Sequence, residues 1–565
     1  MWWQRNNRFS TGVILTLIFL FSFFLRVYRI TSFPAGFSLD EISQGYTAYS
    51  ILKTSRDEWG EKLPITPRAF GDFRSPLYTY LVIPFIAIFG LNELAVRLPS
   101  AIFGSLAVLA VYLLVKELEF YGKEKVENNN FAYITAFFLA ISPWHISLSR
   151  GAFEASLNTF FLSLGIWLFL KGLKNWPYFF WAAIVFGLDL FTYYSPRFYI
   201  PLVVFILVFF FRKDFLKAKR YFSFLSVFAV FLFLAFLTLL WGGKTRVADT
   251  SILNQTKNWQ SLSERQYEAV TLGLPYERER IFNNKLSFIV NRFAKNYLGY
   301  FSLEFLFTKG VSEATYGMIP GRGVLYFFEL PLVLLAITQI FKKREKSLTL
   351  IIVLLLFSPL AAALAKGEAA GNRAATMLPF WQIISAYGGI ELIEITKNKL
   401  GQFSRYFLVF YLLTVFFFLG IFLEDYLFHA PVVNAINMAY GWSQASKFLV
   451  NYPGKIIISK NFSEPQIAVS FYLKTDPLFV QKEANNWLEY EKKGLLFVDQ
   501  LPEYRLGQFE FRNFHFPEDK KIKGALFVGK EEDFAGVLDG EILAIIRYPG
   551  PQQKIAFKIV KFKEE

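Results

Sequence analysis

The chain has 565 residues, of which 54% are hydrophobic and 19% aromatic, with 68 Phe, a mean hydropathy of +0.35 and a formal charge of +15. Such a composition excludes an ordinary soluble globule, and the absence of cysteine excludes disulfides, thiolate metal sites and cysteine nucleophiles. The positive charge does not point to nucleic acid, because Lys and Arg gather in short loops between apolar runs, where they set membrane orientation.

Arg5 and Arg8 precede an apolar run from Thr11 to Leu25, and Arg26, Tyr28 and Arg29 follow it without a small-residue cleavage site. This predicts an uncleaved first membrane helix with a cytoplasmic N-terminus. With this segment, 11–30, further apolar segments near 94–116, 131–143, 153–170, 178–194, 198–211, 222–241, 324–341, 347–365, 374–395 and 406–423 make eleven candidate spans. Threaded from inside, they place basic clusters such as Lys116, Lys171, Lys174, Arg212, Lys213, Lys342 and Lys343 in the cytoplasm. The short outer turns keep only Arg150, Arg197, Lys366 and Arg373.

Leu77 to Phe89 is too short to cross a hydrocarbon core of about 30 Å, so it is expected to lie in the interface or to re-enter. Residues 31–92 then form one long outer loop and 242–323 a second, with helix-like stretches at Ser263 to Ala269 and Leu286 to Phe301. Beyond Glu424 the pattern mixes polar and apolar residues. It predicts a helix at Ala435 to Val450 and strands at Lys455 to Ser459, Leu495 to Asp499, Ala525 to Val528 and Ile542 to Arg547. The expected architecture is a polytopic α-helical membrane module over 1–423, with about eleven transmembrane helices, and a small soluble extracytoplasmic α/β domain over 424–565.

Asp40 and Glu41 sit side by side just beyond the first span. Two carboxylates at the lip of a membrane helix are costly to desolvate, so they face water, a metal or a polar substrate, or else cap the next helix in a solvated turn. His145, Arg150, Glu154, Arg197, Lys366 and Arg373 also fall at outer helix ends. Each alone reads as a snorkelling or capping residue. Together they can frame a cavity with an acidic centre and a basic rim, suited to a nucleophile that must lose a proton and a phosphate that must be held. Glycosyl transfer from a lipid phosphate needs both. Nucleotide sugars are disfavoured, since neither a P-loop nor a GxGxxG follows a strand.

Leu25-Arg26-Val27-Tyr28, Leu39-Asp40-Glu41, Arg74-Ser75-Pro76-Leu77-Tyr78, Glu93-Leu94-Ala95-Val96-Arg97-Leu98-Pro99-Ser100 and Ser142-Pro143-Trp144-His145, with Arg150 to Glu154, together resemble the GT-C glycosyltransferases of the protein O-mannosyltransferase and aminoarabinose transferase type (glycosyltransferase family 39 and its relatives). The resemblance covers the membrane part to about Leu423 and implies a polyprenyl-phosphate sugar donor, an inverting displacement and an active site at the outer face. It implies Asp40 as the first-loop acid, Glu154 as a second acidic position and Arg74 as the residue touching the donor phosphate. The large loop is too short for the MIR domain of eukaryotic protein mannosyltransferases.

The expected catalytic residues are therefore Asp40, Glu41 and Glu154; the expected phosphate ligands are Arg74, Arg150, Arg197 and Arg373; His145 and Lys366 are possible substrate contacts. No cofactor is required by the sequence. A divalent cation, if used, would take oxygen ligands from Asp40 and Glu154, whereas zinc would need His145 as well. The expected setting is a multi-pass protein of the plasma (inner) membrane in the cell envelope, acting on a protein, lipid or glycan acceptor. The competing reading is a transporter or flippase of a lipid-linked glycan, which should instead carry midplane charges and repeated halves.

Overall fold

The computed structural model describes residues 2–121, 130–240, 256–312, 317–365, 367, 369–536 and 540–562. Each of the eleven apolar segments contains a helix. Those that build the site are α1 (Trp2–Val27), α2 (Leu39–Thr54), α3 (Pro76–Phe89), α4 (Glu93–Tyr121), α5 (Asn130–Ile141), α6 (Pro143–Arg150), α7 (Ser156–Gly172), α8 (Pro177–Asp189) and α9 (Tyr194–Phe210).

The chain is a multi-pass membrane protein. Among the described residues, the helices long and apolar enough to cross a membrane unbroken are fewer than the eleven segments. Glu93–Glu119, Tyr221–Thr238, Lys346–Ala363 and the helical run Ala375–Asn434 are long and apolar enough to cross, and α5 with α6, bent by 54°, is apolar enough only as a pair, the pattern of a broken span or a re-entrant loop. The run Ala375–Asn434 holds two of the segments. It folds back near Gly401, because both of its ends return to α6: Trp144 donates its indole N–H to the Gly371 carbonyl at 3.0 Å just before the run, and the Arg150 guanidinium lies 5.3 Å from the Tyr426 ring centre.

Gly12–Val27, α3, α7, α8 and α9 are apolar but shorter. The last three are short because the chain leaves helical geometry at 151–155 and 190–193, and those turns line the site. The second loop contains helices at Thr256–Thr271, Tyr276–Phe282 and Lys285–Gly299. The Asp40 end of the bundle gathers the starts of α2, α4, α7 and α9 and the ends of α1, α6 and α8. Lys116, Lys171, Lys174 and Arg212 occupy the opposite helix ends, where Lys171 and Lys174 pair with Glu117 at 2.9 and 2.8 Å.

The C-terminal part forms a six-stranded sheet in the order β4-β5-β3-β6-β8-β7. Its strands are β3 (Ile456–Ile458), β4 (Glu503–Leu506), β5 (Phe509–Arg512), β6 (Leu526–Gly529), β7 (Gly540–Arg547) and β8 (Ile555–Phe562). β3 is fully buried and parallel to both neighbours, as expected of a central strand covered on both faces. Leu495 to Asp499 is not a strand. There the Gln500 side chain accepts from the Leu496 backbone N–H at 2.8 Å, and Val498 donates to the Phe70 carbonyl at 3.3 Å. The helix expected over Ala435 to Val450 is confined to Trp442–Leu449.

This domain sits directly on the loop that carries the carboxylates. Its helix Pro465–Tyr472 lies on α2, where a Cβ at Gly45 would come within 2.7 Å of the Phe471 ring, so only glycine permits the approach. Gln481 donates to Ser50, Thr54 and the Asp57 carbonyl at 3.1, 2.9 and 2.9 Å, and Tyr46 donates to the Thr475 carbonyl at 2.8 Å.

Candidate active site

Ser38, Leu39, Asp40 and Glu41 open α2 as a capping box: the Ser38 hydroxyl accepts from the Glu41 N–H, and the Glu41 carboxylate accepts from the Ser38 N–H at 2.9 Å. Consecutive helix positions point about 100° apart, and this separates the two carboxylates. Glu41 turns inward and is fully buried. It meets Arg97 of α4 in a two-pronged pair at 2.8 and 3.0 Å and accepts the Ala152 backbone N–H at 2.9 Å. Arg97 also donates to the carbonyls of Ile30, Pro34 and Gly36. Glu41 thus ties together α2, α4, the segment leaving α1 and the turn that carries Glu154.

Asp40 turns the other way, with 43% of its side chain exposed. The hairpin of β1 (Arg68–Ala69) and β2 (Asp72–Phe73) delivers Arg74, which grips Asp40 twice at 2.6 Å, once at the carboxylate and once at its backbone carbonyl. Arg74 is itself buried and lies 5.1 Å from the Phe70 ring centre. A guanidinium carries five N–H donors, so the grip on Asp40 leaves donors for an anion.

Asp40 and Arg74 share one cleft with Gln44, Glu154, Tyr193 and Asn372. Gln44 lies one helical turn after Asp40 and donates to Glu154 at 3.0 Å, and Asn372 donates to the Tyr193 hydroxyl at 3.0 Å. The open space is about 20 Å³, little more than one water. The cleft joins two carboxylates and one arginine drawn from three separate segments.

The other expected site residues lie elsewhere or at the margin. Arg197 does not line the cleft but lies beside the hairpin, donating to Ser75 at 3.4 Å and to the Leu190 carbonyl at 3.2 Å. Arg373 directly follows Asn372 and donates its backbone N–H to the Asn372 side chain. Arg150 does not face the cleft, for its guanidinium is used on the carbonyls of Leu25, Tyr28 and Phe33 at the end of α1. His145 is fully buried against Arg26 at 2.7 Å, which removes it from a substrate's reach and from the zinc set. Lys366 lies outside the described residues.

Sequence reasoning missed Gln44, Tyr193 and Asn372. Only Gln44 left a signal, its i, i+4 spacing from Asp40. Among the described residues, the one cluster of three groups spaced for a metal ion is Glu424, Asp425 and His429, and Asp425 is already paired with Arg322. The positive charge in the Asp40 cleft comes from Arg74.

The fold is similar to that of solved GT-C glycosyltransferases. ArnT from Cupriavidus metallidurans, solved with undecaprenyl phosphate, matches over 98% of both chains with a TM-score of 0.50 at 12% identity. Residues 73–241 match the family model of dolichyl-phosphate-mannose-protein mannosyltransferases, a segment that opens beside Arg74 and includes Glu154 and Arg197. YkcB of Bacillus subtilis (strain 168), named as a candidate mannosyltransferase, is 28% identical over 242 residues, 42% of this chain. The match spans about a third, 31%, of that protein's length. The archaeal oligosaccharyltransferase AglB from Archaeoglobus fulgidus, solved with an inhibitory peptide and a dolichol-phosphate, matches 84% of this chain and 64% of its own at 17% identity and a TM-score of 0.49.

Proposed function

We propose that the protein is an inverting glycosyltransferase that moves a sugar from a polyprenyl-phosphate donor to an acceptor hydroxyl or amine at the outer face of the membrane. The observation that carries this reading is the convergence of Asp40, Glu154 and Arg74 on one cleft at one end of the helical bundle. Arg74 fixes the orientation of Asp40 through two contacts. Its remaining donors meet the phosphate as negative charge grows on it. Asp40 takes the proton of the acceptor as the acceptor's oxygen or nitrogen bonds to the anomeric carbon. The bond from that carbon to the phosphate oxygen breaks, and polyprenyl phosphate leaves with the electron pair.

Glu154, held by Gln44, is the second acid of the cleft and orients the acceptor or donor hydroxyls. Glu41 acts through the others as a positioning residue. Undecaprenyl phosphate bound to ArnT and the family match over 73–241 support a lipid-phosphate donor. Basic residues at the far helix ends support an extracytoplasmic cleft and a cytoplasmic N-terminus. The test incubates the purified chain with a panel of radiolabelled polyprenyl-phosphate sugars. One of them should lose label to water or to an added acceptor in the wild type and keep it with Asp40→Asn.

A further inference from the structure

A second cavity lies on the other side of the Glu41–Arg97 pair, where the segment leaving α1 meets the C-terminal domain. It is far roomier than the cleft, about 460 Å³ against about 20 Å³. Glu93 at the start of α4 and Phe37 line it from the membrane module, and Tyr440, Ser443, Gln444 and Tyr472 line it from the C-terminal domain. Neither module encloses it alone.

The lining has a definite chemistry. The Tyr472 hydroxyl donates to Glu93 at 2.8 Å, which presets a carboxylate with further lone pairs toward the cavity. Gln444 and Ser443 add an amide and a hydroxyl, and Tyr440, Tyr472 and Phe37 add rings. An apolar ligand would strand these polar groups, and an ionic headgroup of either sign would meet a like charge, because Arg29 lines the cavity as well as Glu93. A ligand with many hydroxyls and apolar C–H faces satisfies both kinds of wall, donating to the carboxylate, pairing with the amide and packing against the rings.

Position links this cavity to the cleft. Phe37 lines one and Asp40 the other, and three residues of chain reach at most about 11 Å. Glu93 is one helical turn before Arg97, whose pair with Glu41 forms the wall between them. We propose that this cavity is a saccharide subsite that seats the acceptor, so that the acceptor is a carbohydrate chain presented to Asp40. The proposal rests on the transferase reading of the cleft.

The test uses the full chain in nanodiscs and saturation-transfer NMR with three probes at millimolar concentration: methyl α-mannoside, methyl β-glucoside and N-acetylglucosamine, with glycerol 1-phosphate as the anionic comparison. At least one glycoside should receive saturation in the wild type and in Asp40→Asn. Its binding should weaken at least tenfold in Gln444→Ala and, independently, in Ser443→Trp, which fills the cavity, while donor hydrolysis in both variants stays at the wild-type rate. Absence of saturation for all three glycosides, equal binding in both cavity variants, or binding of glycerol 1-phosphate alone would each overturn the subsite. Loss of donor hydrolysis in Asp40→Asn without glycoside binding leaves the transferase standing and removes only the subsite. Glycoside binding by a wild-type chain that hydrolyses none of the donors does the reverse.

Discussion

Replacing Glu41 by Gln keeps the size of the side chain and removes its charge, and the cost can be worked from the bonds it makes. Oε1 accepts from Arg97 Nε and the Ala152 N–H at 2.8 and 2.9 Å, and Oε2 accepts from Arg97 Nη2 and the Ser38 N–H at 3.0 and 2.9 Å. Whichever way the amide is placed, its NH₂ faces two donors and can satisfy neither. Two bonds to a charged group are lost, each worth about 1.5–3 kcal/mol, and Arg97 is left buried without its counter-charge. Breaking a buried pair from one side costs about 3–5 kcal/mol, so both routes agree on a loss of that size.

Asp40→Asn is the matched control. Asp40 is half-exposed, and Asn keeps for the buried Arg74 both a side-chain oxygen and the backbone carbonyl, so the loss should be about 1 kcal/mol, the difference between a charged and a neutral hydrogen bond. Unfolding in mixed micelles followed by tryptophan fluorescence should show Glu41→Gln strongly destabilised and Asp40→Asn near wild type, while initial rates at a permissive temperature show the reverse order. Wild-type stability in Glu41→Gln would refute the bracing role. It would return Glu41 to the groups that could act on substrate.

Turnover in Asp40→Asn should fall by about 10²–10⁴-fold, the range typical of general-base loss, with donor affinity retained; a wild-type rate would transfer the base to Glu154. Arg74→Ala should weaken donor binding roughly 10- to 100-fold, from the loss of about 1.5–3 kcal/mol of charge-assisted contact, and Arg74→Lys should recover part of it; titration with labelled donor measures both. Burial, and then the neighbouring Asp57, push the Glu58 carboxyl in the loop after α2 up to about 8. Its proton is therefore held more tightly folded than unfolded, so stability is fully present below the ordinary carboxylate range and declines as pH rises through about 8. Unfolding midpoints measured from pH 5 to 9 should fall across that range in the wild type, and the fall should shrink in Glu58→Gln. Maleimide labelling of single cysteines, clean because the chain has none, should find positions 443 and 213 on opposite sides of the membrane.

The sequence marked the carboxylate pair but not its division of labour. Ser38-Leu39-Asp40-Glu41 is both an acidic dipeptide at a membrane lip and a capping-box signature, and one pattern cannot say which acid the helix start turns inward. The deciding partner, Arg97, lies 56 residues away in a segment whose motif showed only resemblance. Arg150 and His145 misled for a related reason. Hydropathy places a polar group at the correct end of a helix, but it does not show that buried partners have already engaged it, carbonyls for Arg150 and the Arg26 guanidinium for His145. The hairpin of β4 and β5 was legible in principle, since Tyr504, Leu506, Phe509 and Phe511 alternate around Gly507 with its positive φ of 59°. The apolar residues of Leu495 to Asp499 offered a competing strand pattern that is used instead for docking against Phe70.

That docking bears on what the C-terminal domain does for the helical module. Asp40 must hold its position against Arg74 and Glu154 although each comes from a different segment, and loop-borne sites are loose unless a second shell fixes them. Glu41 and Arg97 fix the inner face of the α2 start. The C-terminal domain fixes the outer face, through Phe471 against Gly45, Gln481 across Ser50 and Thr54, and Val498 on the Phe70 carbonyl of the hairpin that presents Arg74. If the domain only bound acceptor, Phe471→Asp, which sets a charge against α2 and drives helix Pro465–Tyr472 off it, would impair transfer to acceptor and spare hydrolysis of the donor. Because the same contact also steadies Asp40, both rates should fall together, and an intact hydrolysis rate in Phe471→Asp would show that the cleft is built by the membrane module alone.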